Sequence, residues 1–95
     1  MPAYVIANVE VSDPIRYEEY KRLVPSTIAA YGGRYLARGG PAQVLEGEWK
    51  PKRLVIVEFE TAAQARAWWD SAEYAPVRSV RRACARAELV LVEGL

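Results

Sequence analysis

Residues 31–60 read YGGRYLARGGPAQVLEGEWKPKRLVIVEFE. The second half, 53–60, alternates as a half-buried strand does: Val55, Val57 and Phe59 share one face, and Leu54, Ile56, Glu58 and Glu60 share the other. Its partner is 34–38, with Arg34, Leu36 and Arg38 on one side and Tyr35 and Ala37 on the other. Gly39-Gly40-Pro41 cannot continue a regular ladder and predicts a bulge or bend. Residues 43–48 are expected to resume the strand, and 49–52 to turn it back. Arg38, Glu46 and Glu58 stand where such a sheet normally carries apolar side chains.

Outward from this hairpin the elements are short and well punctuated. Ala3 to Val11 predicts a strand, with Val5, Ala7, Val9 and Val11 toward helices and Tyr4, Ile6, Asn8 and Glu10 away from them. Asp13-Pro14 opens a helix: the carboxylate accepts from free amides, and proline at the first position loses no bond. Tyr17, Tyr20, Val24, Ile28 and Tyr31 form its apolar stripe, Pro25 is expected to bend or split it, and Gly32-Gly33 ends it. Thr61 to Gln64 fits a capping box for a helix running to about Asp70. Trp68 and Trp69 point different ways, one into the core and one toward a pocket border. After a break at 71–74, Val77, Val80 and Cys84 form the stripe of a further helix, with Arg78, Arg81, Arg82 and Arg86 assigned to its solvated face. Residues 89–92 form a last strand. The order β-α-β-β-α-β predicts an α+β, ferredoxin-like domain over 1–95: an antiparallel four-stranded sheet with helices on one face.

Composition narrows the chemistry. The 95 residues include no histidine, which removes the commonest general base and the commonest zinc ligand. One cysteine, Cys84, forbids an internal disulfide, so a reducing cytoplasm is expected. No basic leader precedes the first strand, and no apolar run reaches the ~20 residues a membrane helix needs. A net charge of +1 sets up no global field for nucleic acid. Leu54, Ile56 and Glu58 also stand where a base-stacking sheet would show aromatics, so neither nucleic acid nor membrane is expected as a partner. No metal or other cofactor is expected, because the carboxylates form no oxygen cage.

With helices on one side, the other sheet face carries Tyr4, Ile6, Leu36, Leu54 and Ile56, interspersed with Asn8, Arg34, Arg38 and Glu58. So large an apolar patch predicts a homodimer joined face to face. Asp13-Pro14, Tyr20, Tyr31-Gly32-Gly33-Arg34-Tyr35, Arg38-Gly39-Gly40, Glu46-Gly47, Trp49, Glu58-Phe59, Ser71-Ala72-Glu73-Tyr74 and Val92-Glu93-Gly94 together resemble the domain-of-unknown-function family 1330. That family lies within the dimeric α/β-barrel superfamily. The resemblance implies a ferredoxin-like protomer whose sheet meets its twin to close a barrel, with a small cavity per subunit. The superfamily includes cofactor-independent monooxygenases, haem-degrading enzymes, muconolactone-type isomerases and plain ligand-binding proteins.

The candidate site residues follow from charge on the bare face. Arg38 is a planar fork suited to a carboxylate or enolate, or else the partner of Glu46 or Glu58. Glu58 is a candidate general base, or an ion pair that sets register. Tyr20 is the third catalytic candidate, as a phenolic donor, and Tyr74 joins it as a ligand contact. Glu46 and Trp49 form a rim over a ligand or a hairpin end against the partner subunit, and Asn8 completes the binding set. Two functions fit these residues. One is a cofactor-independent enzyme, an isomerase or monooxygenase, acting on a small anionic or enolisable metabolite. The other is a non-catalytic ligand-binding or interaction domain.

Overall fold

The computed structural model describes all 95 residues. The elements are β1 (Ala3–Val11), α1 (Pro14–Ala30), β2 (Arg34–Arg38), β3 (Leu54–Phe59), α2 (Ala62–Trp69), α3 (Tyr74–Cys84) and β4 (Ala85–Glu93). The strands form one antiparallel sheet in the order β2-β3-β1-β4, the ferredoxin-like arrangement. Val5, Ala7 and Val9 of β1, with Val57 and Phe59 of β3, pack under the helices through Tyr17, Tyr20, Val24, Ile28, Ala65, Trp68, Tyr74, Val77 and Cys84. No helix is long and apolar enough to cross a membrane.

The helix boundaries follow their caps. Asp13 Oδ1 accepts from the Arg16 amide at 3.2 Å, and Thr61 Oγ1 accepts from the Gln64 amide at 3.1 Å. The Gln64 side chain meets the Thr61 hydroxyl rather than the cap amide, so only half of the reciprocal box forms. The third helix passes directly into β4 at Ala85, so the last strand is longer than the 89–92 expected.

Two expectations of the hairpin fail. Residues 43–48 form no strand: β2 stops at Arg38, the chain is irregular until β3, and residues 40–50 are exposed. The expected bend is present, because β2 ends at Arg38 and Gly39 turns the chain with φ +73°, but a further irregularity lies within β2 at Leu36. Tyr35 pairs with Val57 and Ala37 with Ile56, so Leu36 is an extra residue in the ladder. Past a bulge the side-chain alternation reverses. Arg38 pairs with Val55 and therefore belongs to the helix-covered face, not to the bare face where simple alternation put it.

Helix α1 also runs unbroken through Pro25. Proline has no amide to offer the carbonyl four residues back, which is that of Lys21. The Arg38 guanidinium supplies the missing donor, Nη2 to Lys21 O at 2.6 Å. Substituting Pro25→Ala restores an intrahelical donor and removes the ring clash. The expected result is a fold more stable by about 1–2 kcal/mol, with Arg38 released from its acceptor. Urea denaturation checks the gain, and an unchanged or lowered midpoint would count against this account.

Candidate functional site

A cavity of about 40 Å³ lies between the sheet and α1, walled by Val5, Ala7 and Val57 below and Tyr20, Val24 and Trp68 above. Lys21, Arg38, Arg53 and Arg81 also line it, and no carboxylate does. Beside it, with Lys21, Arg38 and Arg53 lining both, is a surface depression of about 430 Å³ that Glu18 and Arg22 also line.

Arg81 is the least expected member. It is only 4% exposed, and its Nε is buried without a hydrogen-bond partner. The molecule's three salt bridges, Lys21–Glu18, Arg34–Glu58 and Arg66–Asp70, do not include it. A buried guanidinium without a counter-ion is costly. Burial works to strip its proton, but the Tyr74 and Tyr20 hydroxyls beside it outweigh that and hold the group above its ordinary range. Arginine keeps its proton throughout the accessible pH range, so Arg81 is a fixed cation.

Those two hydroxyls bond each other at 3.0 Å. Burial first, and then Tyr74, push the Tyr20 phenol above its usual range, so it is a neutral hydroxyl at neutral pH. When one phenol donates to the other, the second keeps a hydrogen to give elsewhere. Tyr20 lines the cavity, and the fully buried Tyr74 stands one hydrogen bond behind it, stacked on Trp68 with ring centres 4.2 Å apart. Trp68 in turn donates Nε1 to Thr27 Oγ1 at 3.1 Å, so the wall is braced from both sides.

The mouth is built by the end of the β2–β3 hairpin. Arg38 stacks over Tyr35, its guanidinium carbon 4.6 Å from the ring centre, and burial raises the Tyr35 phenol while Arg38 works to lower it. Arg53 lies 5.5 Å from the ring centre of Tyr17 and keeps a buried Nε without a partner. Gly39 makes this possible: its φ is +73°, and a Cβ there would collide with the Arg53 guanidinium.

Of the residues singled out from sequence, the fold brings Tyr20, Arg38 and, behind the wall, Tyr74 to this cavity. The others lie elsewhere. Glu58 is on the bare face of the sheet and takes Arg34, at 2.7 Å from both Nε and Nη2, so it meets neither Arg38 nor the cavity. Asn8, on that same face, accepts from the Lys52 amide at 3.0 Å and ties down the returning hairpin. Glu46 and Trp49 sit in the exposed loop, with Trp49 63% exposed. A general base at Glu58 is thus incompatible with chemistry in this cavity, because the sheet separates them.

The family model described as a domain of unknown function, DUF1330, matches residues 2–95. The chain belongs to the DUF1330 family. Its fold is similar to a protein of unknown function from Rhodopseudomonas palustris (TM-score 0.79, 18% identity, 99% of this chain and 82% of that one). A dimeric ferredoxin-like protein of unknown function from Jannaschia sp. CCS1 is also similar (TM-score 0.72, 14% identity, 99% and 100%). So is SnoaB, a cofactor-independent oxygenase from Streptomyces nogalater (TM-score 0.60, 14% identity, 99% and 93%). At these identities the likeness concerns the fold alone. Comparison with curated proteins gave no significant match.

In this DUF1330 chain, Arg81, Arg53 and Lys21 are the charged cavity residues that sequence reasoning did not pick out. One signal for Arg81 was present. Tyr74, Val77, Arg81 and Cys84 follow the 3-4-3 spacing of a buried stripe, and all four are buried.

Proposed function

We propose that this DUF1330 protein is a homodimer that holds a small anionic or enolisable metabolite in the cavity between its helices and its sheet. The observation that carries the reading is Arg81, a buried guanidinium that no carboxylate of its own chain neutralises. A ligand carboxylate or enolate would supply that charge, and charge-assisted bonds to arginine are among the strongest available. The Tyr20–Tyr74 pair adds a neutral donor beside it. A cation and a phenol lining one small cavity can together stabilise a developing enolate. This fits a cofactor-independent enzyme in which the substrate's own acidity supplies the reacting carbanion. The likeness in fold to SnoaB is consistent with such chemistry. A second reading, a non-catalytic ligand-binding domain, is favoured by the lining itself, which offers no carboxylate as a general base.

Thermal-shift screening of small organic acids tests binding, and mass spectrometry of the hits separates the two readings. An acid that raises the melting temperature and is converted supports the enzyme; one that raises it and is recovered intact supports the binder. If no acid shifts the transition, both fall.

Dimerisation rests on the bare sheet face. Tyr4, Ile6, Leu54 and Ile56 are only half-buried there, and β4 adds Val90 and Val92, which alternate onto the same side. The Jannaschia neighbour is described as dimeric. Ile56→Asp, which sets a carboxylate in the middle of that face, is expected to weaken dimerisation at least about 100-fold, from the ~3 kcal/mol or more that an unpaired buried charge costs. Sedimentation velocity reads the outcome; an unchanged dimer would place the interface elsewhere. The single, reduced Cys84 fits a cytoplasmic setting for this one-domain protomer.

A further inference from the structure

We infer that the ligand of this cavity is a short dianionic acid, with one anionic group seated inside against Arg81 and a second held outside by Arg22, Arg38 and Arg53. The inference rests on the preceding reading that the cavity takes an anion, and it goes further by fixing the number and spacing of the charges.

Volume decides the first half. About 40 Å³ of interior space holds the equivalent of roughly three water molecules, enough for a carboxylate and its adjoining carbon and too little for a ring or a branched chain. The remainder of any ligand must stand in the outer depression of about 430 Å³.

Charge decides the second half. No apolar side chain lines that depression, so it offers nothing to a hydrocarbon tail. Its one acid, Glu18, is taken by Lys21 at 2.9 Å. Arg22, Arg38 and Arg53 have no carboxylate partner. Arg38 commits Nη2 to the Lys21 carbonyl and keeps its other donors. A monoanion bound at Arg81 would leave these three cations facing its neutral end. A second carboxylate, or a phosphate, would complement them bidentately. Because Lys21, Arg38 and Arg53 border both spaces, the two anionic groups must be separated by only a few carbons.

The test is calorimetric titration of the protein with malonate, succinate, glutarate and adipate, with monocarboxylates of equal length, and with 2-phosphoglycolate, all at fixed ionic strength. One short dicarboxylate or the phosphoglycolate is expected to bind at least tenfold more tightly than its monoanionic counterpart. Whichever of the two classes binds more tightly identifies the outer group as carboxylate or phosphate. Arg38→Gln should lower that advantage at least fivefold. Because Arg38 also braces the Pro25 turn, Arg22→Gln serves as a second variant that borders only the depression, with an expected two- to threefold loss. Equal affinity for mono- and dianions, or a preference that survives both substitutions, overturns the inference and leaves the anion-binding cavity standing. Failure of every acid to bind overturns both.

Discussion

Arg81→Met is expected to leave the protein folded and more stable by about 1–3 kcal/mol, while anion binding weakens about ten- to a hundredfold. Both halves follow from one fact, that Arg81 is buried without a counter-ion. Exchanging buried charged groups for apolar side chains of similar length is commonly neutral or stabilising, because the desolvation penalty disappears. The neighbours tolerate the loss: the Tyr20 and Tyr74 hydroxyls remain bonded to each other at 3.0 Å, so neither is orphaned. The loss of binding corresponds to about 1.5–3 kcal/mol, the net worth of a hydrogen bond to a charged group. Chemical denaturation measures the first quantity and titration with a small acid the second. A site kept at a cost in stability produces opposite signs in the two measurements. Destabilisation by more than about 2 kcal/mol would instead make Arg81 a brace for the phenol pair, and would end its role as a ligand anchor.

Trp68→Ala should be the most damaging single truncation in the chain, costing about 3–5 kcal/mol. Trp68 is 2% exposed, its ring centre lies 5.6 Å from that of Phe59 and 4.2 Å from that of Tyr74, and its indole donates to Thr27. For a domain of this size the whole stability is about 5–14 kcal/mol, so the loss is a large share of it. Its neighbour Trp69 is the control. Trp69 is half-buried and lies under the Arg78 guanidinium, 4.9 Å from ring centre to carbon. Trp69→Ala should cost only about 1–2 kcal/mol, from a smaller area removed from the core. Urea titrations with equal slopes would make the two comparable. Similar losses at both positions would contradict the division of one indole to the core and one to the flank.

The order of elements was legible from local pattern. Period-two alternation marked the strands 3–11 and 53–60, and Asp13, Thr61 and Gly32 marked helix ends through groups that satisfy or end a turn within a few residues. The bare apolar face followed as well, because alternation along β1 and β3 is regular. The lining of the cavity was less legible. Tyr20 and Arg38 lie at the cavity, but Glu58, Asn8, Glu46 and Trp49 do not, and Arg81, whose arginine-rich surroundings in sequence predict a solvated side chain, is buried.

Each of these differences has a long-range cause. The bulge at Leu36 carries no glycine and is created by pairing with β3, yet it alone moves Arg38 from one face of the sheet to the other. Pro25 sits within an intact helix because the Arg38 guanidinium, 17 residues along the chain from Lys21, meets the Lys21 carbonyl that proline leaves free. Arg81 is buried because α3 rests against α1 and places Tyr20 over it, although it belongs to the arginine-rich run Arg78, Arg81, Arg82 and Arg86. Local periodicity thus accounts for the elements and their caps, since those depend on residues within one or two turns. The cavity and its charge arise from strand register and helix docking, which bring together side chains from α1, β2, β3 and α3 that no spacing along the chain connects.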